Sequence, residues 1–114
     1  MARITKFRKA ILEIMQEYAA ERQHSKSFEG LNFEVIADEK NHRYQLVLVG
    51  WQGEERIYGL LFHIDIINDK IWIQQDNTEY SAAYMLTDKG ISKKDIVLGY
   101  FTEFHRAHGE FAVA

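Results

Sequence analysis

Residues 43–75 read RYQLVLVGWQGEERIYGLLFHIDIINDKIWIQQ, in which three apolar runs are separated by two short polar breaks. The runs are rich in Val, Ile, Leu and aromatic residues, which favour strands. The breaks are QGEE at 52–55 and Asn68-Asp69, and they contain residue types that tolerate the positive φ of tight turns. The pattern therefore predicts strands at 43–51, 56–67 and 70–75.

The segments upstream extend this sheet and add a helix. Residues 31–38 alternate apolar and polar side chains, which predicts one more strand and a four-stranded antiparallel meander. Residues 4–22 predict an N-terminal helix, because their apolar side chains recur at helical spacing. The residues on that apolar side are Ile4, Phe7, Ile11, Ile14, Met15 and Tyr18.

Downstream of the sheet the sequence becomes helical. Asp76 and Glu79 have the spacing of a capping box, which predicts a helix that ends just before Gly90. Ser92 opens a second short helix by the same logic, and residues 111–114 allow a short terminal strand. The predicted fold class is therefore α+β, with an N-terminal helix, the meander sheet and two short C-terminal helices.

The composition restricts the classes of function. The length of 114 residues suits a single domain, 1–114, and the absence of cysteine excludes a cysteine nucleophile, a disulfide scaffold and Cys-based metal sites. A net charge of −3 argues against binding that depends on phosphate contacts alone. No apolar run approaches the about 20 residues of a membrane span, and the start lacks a signal-peptide pattern, so we expect a cytoplasmic protein.

Turn lengths predict the strand register and divide the side chains between two faces of the sheet. The predicted neighbours are Ile64 and Ile73, His63 and Gln74, and Asp65 and Trp72. Both faces are too apolar to be left in water, and the first helix can cover only one of them. The other face needs the C-terminal helices, a second subunit or a different protein. We therefore expect a protein partner or a homodimer. The candidate partner face consists of Val47, Val49, Trp51, Tyr58, Leu60, Phe62 and Ile64.

The opposite face is predicted to carry a candidate polar cluster. Imidazole and carboxylate groups on adjacent strands can bind a divalent metal or perform acid–base catalysis. They can equally hydrogen-bond one another, or contact a ligand or partner. The structural interpretation is favoured, because H-x-D is a common tripeptide, and we expect no metal or catalytic residue there. The members are His63, Asp65, Trp72, Gln74 and Asp76, with Glu79 just beyond.

Two further features are weak signals. His105 and His108 are three residues apart, a spacing that can place two metal ligands on one helical turn, but no third ligand is near in sequence. A basic cluster on the first helix could contact phosphates, but three glutamates follow it on the same helix, which favours a solvated surface. The basic cluster consists of Arg3, Lys6, Arg8 and Lys9.

A series of short motifs runs through the whole chain. They are Tyr44-Gln45-Leu46, Val49-Gly50-Trp51, Gly53, Arg56-Ile57-Tyr58-Gly59, His63-Ile64-Asp65-Ile66, Lys70-Ile71-Trp72-Ile73-Gln74, Asp76, Thr78-Glu79, Gly90-Ile91, Asp95-Ile96-Val97-Leu98-Gly99 and Glu110-Phe111-Ala112-Val113-Ala114. In order and spacing the sequence resembles the XisI family. It departs from that family at Asn68-Asp69, where Asp-Gly is frequent, and at 100–108, where a proline is usual.

The resemblance implies a regulatory role and no reaction. XisI-like proteins are controlling factors for excision of the fdxN element in filamentous cyanobacteria, where a separate recombinase cuts and rejoins the DNA. Their companion is XisH, which resembles a restriction nuclease in fold. The resemblance thus implies a non-enzymatic factor with a XisH-like partner and no cofactor. The alternatives are a direct DNA-binding regulator, and a small metal-dependent hydrolase or ligand-binding domain that uses His63, Asp65, Asp76 and Glu79.

Overall fold

The structure, a computed structural model, describes residues 2–114. Over this range the chain forms a five-stranded sheet, three α-helices and two 3-10 turns. The helices are α1 (Ala2–Arg22), α2 (Ala82–Asp88) and α3 (Glu103–Ala107), and the turns are Lys26–Phe28 and Lys93–Asp95. The strands are β1 (Leu31–Asp38), β2 (Arg43–Gln52), β3 (Glu55–Ile67), β4 (Lys70–Asp76) and β5 (Ile96–Leu98). The predicted α+β class is confirmed.

Helix α1 lies across the sheet with its apolar side inward. The predicted N-terminal helix is confirmed, and it begins at Ala2. The Tyr18 ring meets the Phe62 ring edge-on with centroids 5.5 Å apart, which joins the helix to β3. The buried residues of the helix are Phe7, Ala10, Ile11, Ile14, Met15 and Tyr18.

The sheet has the order β1-β2-β3-β4-β5. Its first four strands form the predicted antiparallel meander, and Asn68 and Asp69 make the turn between β3 and β4 with φ of 50° and 65°. The sequence does not predict strand β5, which pairs parallel to β4. Ser92 does open the predicted second short helix, as the 3-10 turn Lys93–Asp95, and the run IVL that follows joins the sheet because it is buried on both faces.

Two bulges change the predicted register. Ile64 lies beside Ile73 and Asp65 opposite Trp72, as predicted, but His63 pairs with Gln75 instead of Gln74. The register between β2 and β3 shifts because Leu46 pairs with Phe62 whereas Val47 pairs with Leu60, so Leu61 is the extra residue. Phe62 and Ile64, predicted on the partner face, therefore lie on the core face. His63 and Asp65, predicted on the opposite face, share the face of Val47 and Leu60.

The core fills the space between one sheet face and the helices. Burial of these side chains is the main term that stabilises the fold. Among the described residues, no helix combines the length and the apolar character needed to cross a membrane. The sheet contributes Tyr44, Leu46, Phe62, Ile64, Ile66, Ile71, Ile73 and Ile96, and α2 with its C-terminal loop contributes Ala82, Ala83, Leu86 and Ile91.

The C-terminal segment, residues 99–114, crosses to the opposite face of the sheet. It contains α3, which lies in a stretch without clear periodicity in the sequence. Ala112 makes a parallel bridge to Val97, and its amide donates to Ile96 O at 2.9 Å. The proposed terminal strand is thus reduced to a single bridge, and this bridge lies along the outer edge of β5.

Candidate functional site

The sheet face turned away from α1 is called here the second face, and half of it is polar. Asp65 lies at its centre and is only 6% exposed. His63 Nε2 lies 2.9 Å from Asp65 Oδ1, and Gln74 Nε2 donates to Asp65 Oδ2 at 3.2 Å. The buried carboxylate therefore has a partner at each oxygen, as a buried charge requires.

Strand β2 supplies two further members of this network. Gln45 Nε2 lies 3.2 Å from His63 Nδ1, and Arg43 Nε lies 3.7 Å from Asp65 Oδ1. A His63 ring protonated on Nε2 fits both of its contacts, because it then donates to Asp65 and accepts from Gln45. These two residues join His63, Asp65 and Gln74 in one network, the polar cluster.

The C-terminal segment covers the side of the polar cluster that lies on β4. The guanidinium of Arg106 lies over the Trp72 ring, 5.4 Å from its centroid. The same group donates to Val113 O at 2.7 Å and to Phe101 O at 2.6 Å, which ties the segment together. Gly99 allows this crossing, since a Cβ there would lie 2.7 Å from Gln74 Oε1. Arg106 therefore holds the C-terminal segment against Trp72.

Two predicted members of the cluster lie elsewhere. Asp76 accepts from the Thr78 amide at 3.0 Å and from the Ala82 amide at 2.7 Å, so it holds the loop that leads into α2. Glu79 is exposed and does not form the reciprocal half of the predicted capping box. The reason is that the chain makes a loop first, and α2 starts only at Ala82.

Burial, with a smaller effect of the Asp76 charge, raises the pKa of Tyr100.

The other half of the second face is apolar and open. Tyr58 is 72% exposed and Trp51 is 54% exposed, and Leu60 and Val49 beside them are half-buried. Only Val47 of this group is buried. Val49 lies opposite Tyr58 and Val47 opposite Leu60 across β2 and β3, so these side chains form one continuous strip. This strip, Val47, Val49, Trp51, Tyr58 and Leu60, is the apolar end.

The remaining sequence signals do not converge on either half. His105 stacks on Phe101 with centroids 4.1 Å apart, and His108 Nδ1 lies 2.9 Å from Phe104 O. No group of three or more histidine, aspartate or glutamate side chains between residues 2 and 114 is placed to hold a metal ion. Both histidines therefore belong to the local packing of α3.

The basic cluster is largely engaged within the fold. Arg3 forms ion pairs with Asp69 and Asp95, Lys6 donates to Gly90 O at 3.2 Å, and Arg8 lies 3.4 Å from Glu39. These contacts connect α1 to the turns at one end of the sheet. The positive charges of Arg3 and Arg8 are therefore neutralised by carboxylates of the same chain, and these ion pairs have a structural role.

Three members of the site are missed by the sequence interpretation: Arg43, Gln45 and Arg106. The first two would be found if the bulge at Leu61 were known, because it sets Gln45 opposite His63 and Arg43 opposite Asp65. Arg106 has no such signal, since its contact with Trp72 joins segments far apart in sequence.

The fold and this face define a small α+β protein whose sheet is covered by helices on one side and partly open on the other. A family model described as "XisI protein" matches residues 1–113. The chain therefore belongs to the XisI family.

Two crystal structures from Anabaena variabilis ATCC 29413 are similar to this chain. One is a XisI-like protein with 32% identity and a TM-score of 0.85, covering 97% of this chain and 99% of its own. The other is named fdxN element excision controlling factor XisI and has 30% identity and a TM-score of 0.77, covering 98% and 99%. No curated protein matches the chain.

Proposed function

We propose that the protein is a non-enzymatic controlling factor of DNA element excision that acts by binding a protein partner of the XisH type. Membership of the XisI family and similarity to the structure named as an excision controlling factor support the role. The observation that supports binding to a protein partner is the exposure of the apolar end, where Tyr58 and Trp51 are 72% and 54% exposed.

The chemistry of the apolar end suits a protein interface. Tyrosine and tryptophan are enriched at the energetic centres of interfaces, because they bury a large area with few rotatable bonds. Arg56 lies over the Trp51 ring at 5.4 Å and adds a third side chain of the type that dominates such centres. A partner with an apolar surface and an acidic rim would match this strip and Arg56.

The polar cluster is assigned a structural role in this proposal. Its groups satisfy one another across β2, β3 and β4, so the buried Asp65 is held without a substrate. The hydrolase alternative needs Asp76 and Glu79 beside His63, and Asp76 instead binds the amides of the α2 loop. The geometry therefore favours architecture over catalysis at this cluster.

Direct DNA binding receives less support than protein binding. Arg3, Lys6 and Arg8 already contact acidic side chains or a carbonyl of this chain. Releasing them would remove contacts between α1 and the sheet. Mobility-shift assays at increasing salt concentration test DNA binding, since binding through phosphate contacts weakens steeply as salt rises.

The test is co-expression of the tagged protein with a XisH-like protein. Wild type should co-purify with the partner, and the doubly substituted Trp51→Ala, Tyr58→Ala protein should lose most of it. Phe104→Ala is the matched control, because Phe104 is 78% exposed but lies on α3. Each protein is first checked for an unchanged melting temperature.

The outcomes separate the hypotheses clearly. Loss with the double substitution and retention with Phe104→Ala support the apolar end as the binding surface. Separate elution of the two wild-type proteins at micromolar concentration would contradict the proposed partner. Equal loss with both variants would show that binding does not depend on the apolar end.

A further inference from the structure

The two edges of the sheet are treated differently by the fold. The outer edge of β5 is covered by the C-terminal segment, through the bridge between Val97 and Ala112. Strand β1 forms the other edge and pairs with β2 in unbroken register from Leu31 to Asp38. Proteins usually protect an open edge with lysine, proline or a bulge. Residues 33–37 of β1 contain no lysine or proline and pair with β2 without a register shift, and Glu34 is their one charged residue.

Hydrogen bonds show which backbone groups of β1 point outward. The Trp51 amide donates to Gly30 O at 3.2 Å, so the even-numbered residues of this segment bond to β2. The odd-numbered residues point away from β2, as Gln23 demonstrates: its Nε2 donates to Leu31 O at 2.9 Å, and its Oε1 accepts from the Phe33 amide at 3.4 Å. Gln23 therefore caps the first part of the edge.

Beyond this cap the edge is open. The outward groups are the Phe33 carbonyl, both backbone groups of Val35, and both backbone groups of Ala37. Within residues 2–114 none of them makes a hydrogen bond. Val35 and Ile36 are 37% and 48% exposed, so the open part also presents apolar side chains on both faces.

We propose that this edge pairs antiparallel with β1 of a second copy of the chain, with Val35 facing Val35 on a two-fold axis. The pairing forms two hydrogen bonds between the Val35 residues and two more from Ala37 amides to Phe33 carbonyls. It leaves the Gln23 cap in place. It uses the edge and not the apolar end, so it stands apart from the proposed function.

Charge selects this register over its neighbours. With Val35 on the axis, Glu34 lies opposite Ile36 of the second copy, and no two acidic residues are opposed. A shift of one pair in one direction places Glu34 opposite Glu34, and in the other direction it places Glu34 opposite Asp38 twice. Like charges directly opposed on two strands are destabilising. A second copy therefore fits the edge in one register.

The first test compares Ile36→Lys with Ile36→Glu by analytical ultracentrifugation over a concentration series. Both changes remove the same exposed side chain, but they place opposite charges facing Glu34 of the second copy. We expect Ile36→Lys to tighten the dimer by roughly fivefold to tenfold relative to wild type, and Ile36→Glu to weaken it by a similar factor, because two such pairs form in each dimer.

The second test removes one interface donor. Val35→Pro deletes an amide that points outward, so the pairing with β2 is retained. We expect the proline variant to be monomeric, while Val35→Thr, which keeps the amide, dimerises. A wild-type protein that remains monomeric up to submillimolar concentration would overturn the proposal. So would a dimer that Ile36→Lys and Ile36→Glu weaken equally, since residue 36 would then not face Glu34 of the second copy.

Discussion

The two faces of the sheet are built from the same strands, but they differ in how their side chains are buried. On the core face, Ile64, Ile71 and Ile73 are fully buried beneath the helices. On the second face, the polar cluster satisfies its own hydrogen bonds beneath one end of the C-terminal segment, and the apolar end remains open. The difference indicates that the helices bury the centre of one face, whereas part of the other face keeps large apolar side chains exposed.

The largest expected effect comes from a pair of aromatic residues on β3 that lie on opposite faces. Phe62→Ala removes a fully buried ring and should lower the free energy of unfolding by about 3–5 kcal/mol. Tyr58→Ala, at a 72% exposed position, should change it by less than about 0.5 kcal/mol. Urea denaturation of both variants measures the contrast, and equal destabilisation would refute the division of the faces.

The next effect concerns the polar cluster. Asp65→Ala should lower the free energy of unfolding by about 1–3 kcal/mol, because it leaves His63 and Gln74 without their acceptor. His63→Ala should fall in the same range of about 1–3 kcal/mol for the same reason. Thermal melts and the partner pull-down are run on the same preparations. Lost binding with unchanged stability would make the cluster a functional site instead of a structural one.

A smaller effect distinguishes the two halves of the second face through two matched arginines. Arg106 lies over Trp72 and Arg56 over Trp51, each at 5.4 Å from the ring centroid. Arg106→Ala should cost about 1–2 kcal/mol, since it also loses two hydrogen bonds to carbonyls. It should speed amide exchange in residues 99–114. Arg56→Ala should leave exchange and stability unchanged, and matching effects would remove the distinction.

The smallest effect is a pH dependence of the C-terminal segment. The ammonium of Lys93 beside Glu110 lowers the pKa of that carboxyl. A lowered folded-state pKa contributes stability that is present above the ordinary Glu pKa and is lost as pH falls through the folded value. Amide exchange in residues 109–114 should therefore rise, relative to the core, on acidification below about pH 4.3. Glu110→Gln is the control and should show no such pH-dependent step.

Most of the fold follows from the sequence, and the errors have a common physical origin. The strands predicted at 31–38, 43–51 and 70–75 follow from local alternation and the turn at Asn68 from local φ preferences, and the structure extends the last two strands by one residue each. The bulge at Leu61 does not, because the run Gly59-Leu60-Leu61-Phe62 is apolar throughout and its alternation cannot reveal an extra residue. Every side chain beyond that point then changes face relative to β2.

The site is less predictable than the fold for a related reason. The pairing of Asp65 with Trp72 is predictable, because the two residues lie opposite each other in a hairpin whose turn the sequence predicts correctly. Arg43 and Gln45 join them only through the bulge, and Arg106 joins them through the path of a tail without periodicity. Strand β5 is missed because a three-residue parallel strand depends on contacts distant in sequence.

Hydrogen–deuterium exchange of the full chain, alone and with a XisH-like protein, tests directly whether the apolar end binds the proposed partner. We expect the partner to slow exchange in residues 47–60 of β2 and β3, which carry the apolar end. Residues 3–9 of α1, where the basic cluster lies, should be unchanged. Protection confined to α1 or α3, with residues 47–60 unaffected, would contradict the assignment of the apolar end as the partner surface.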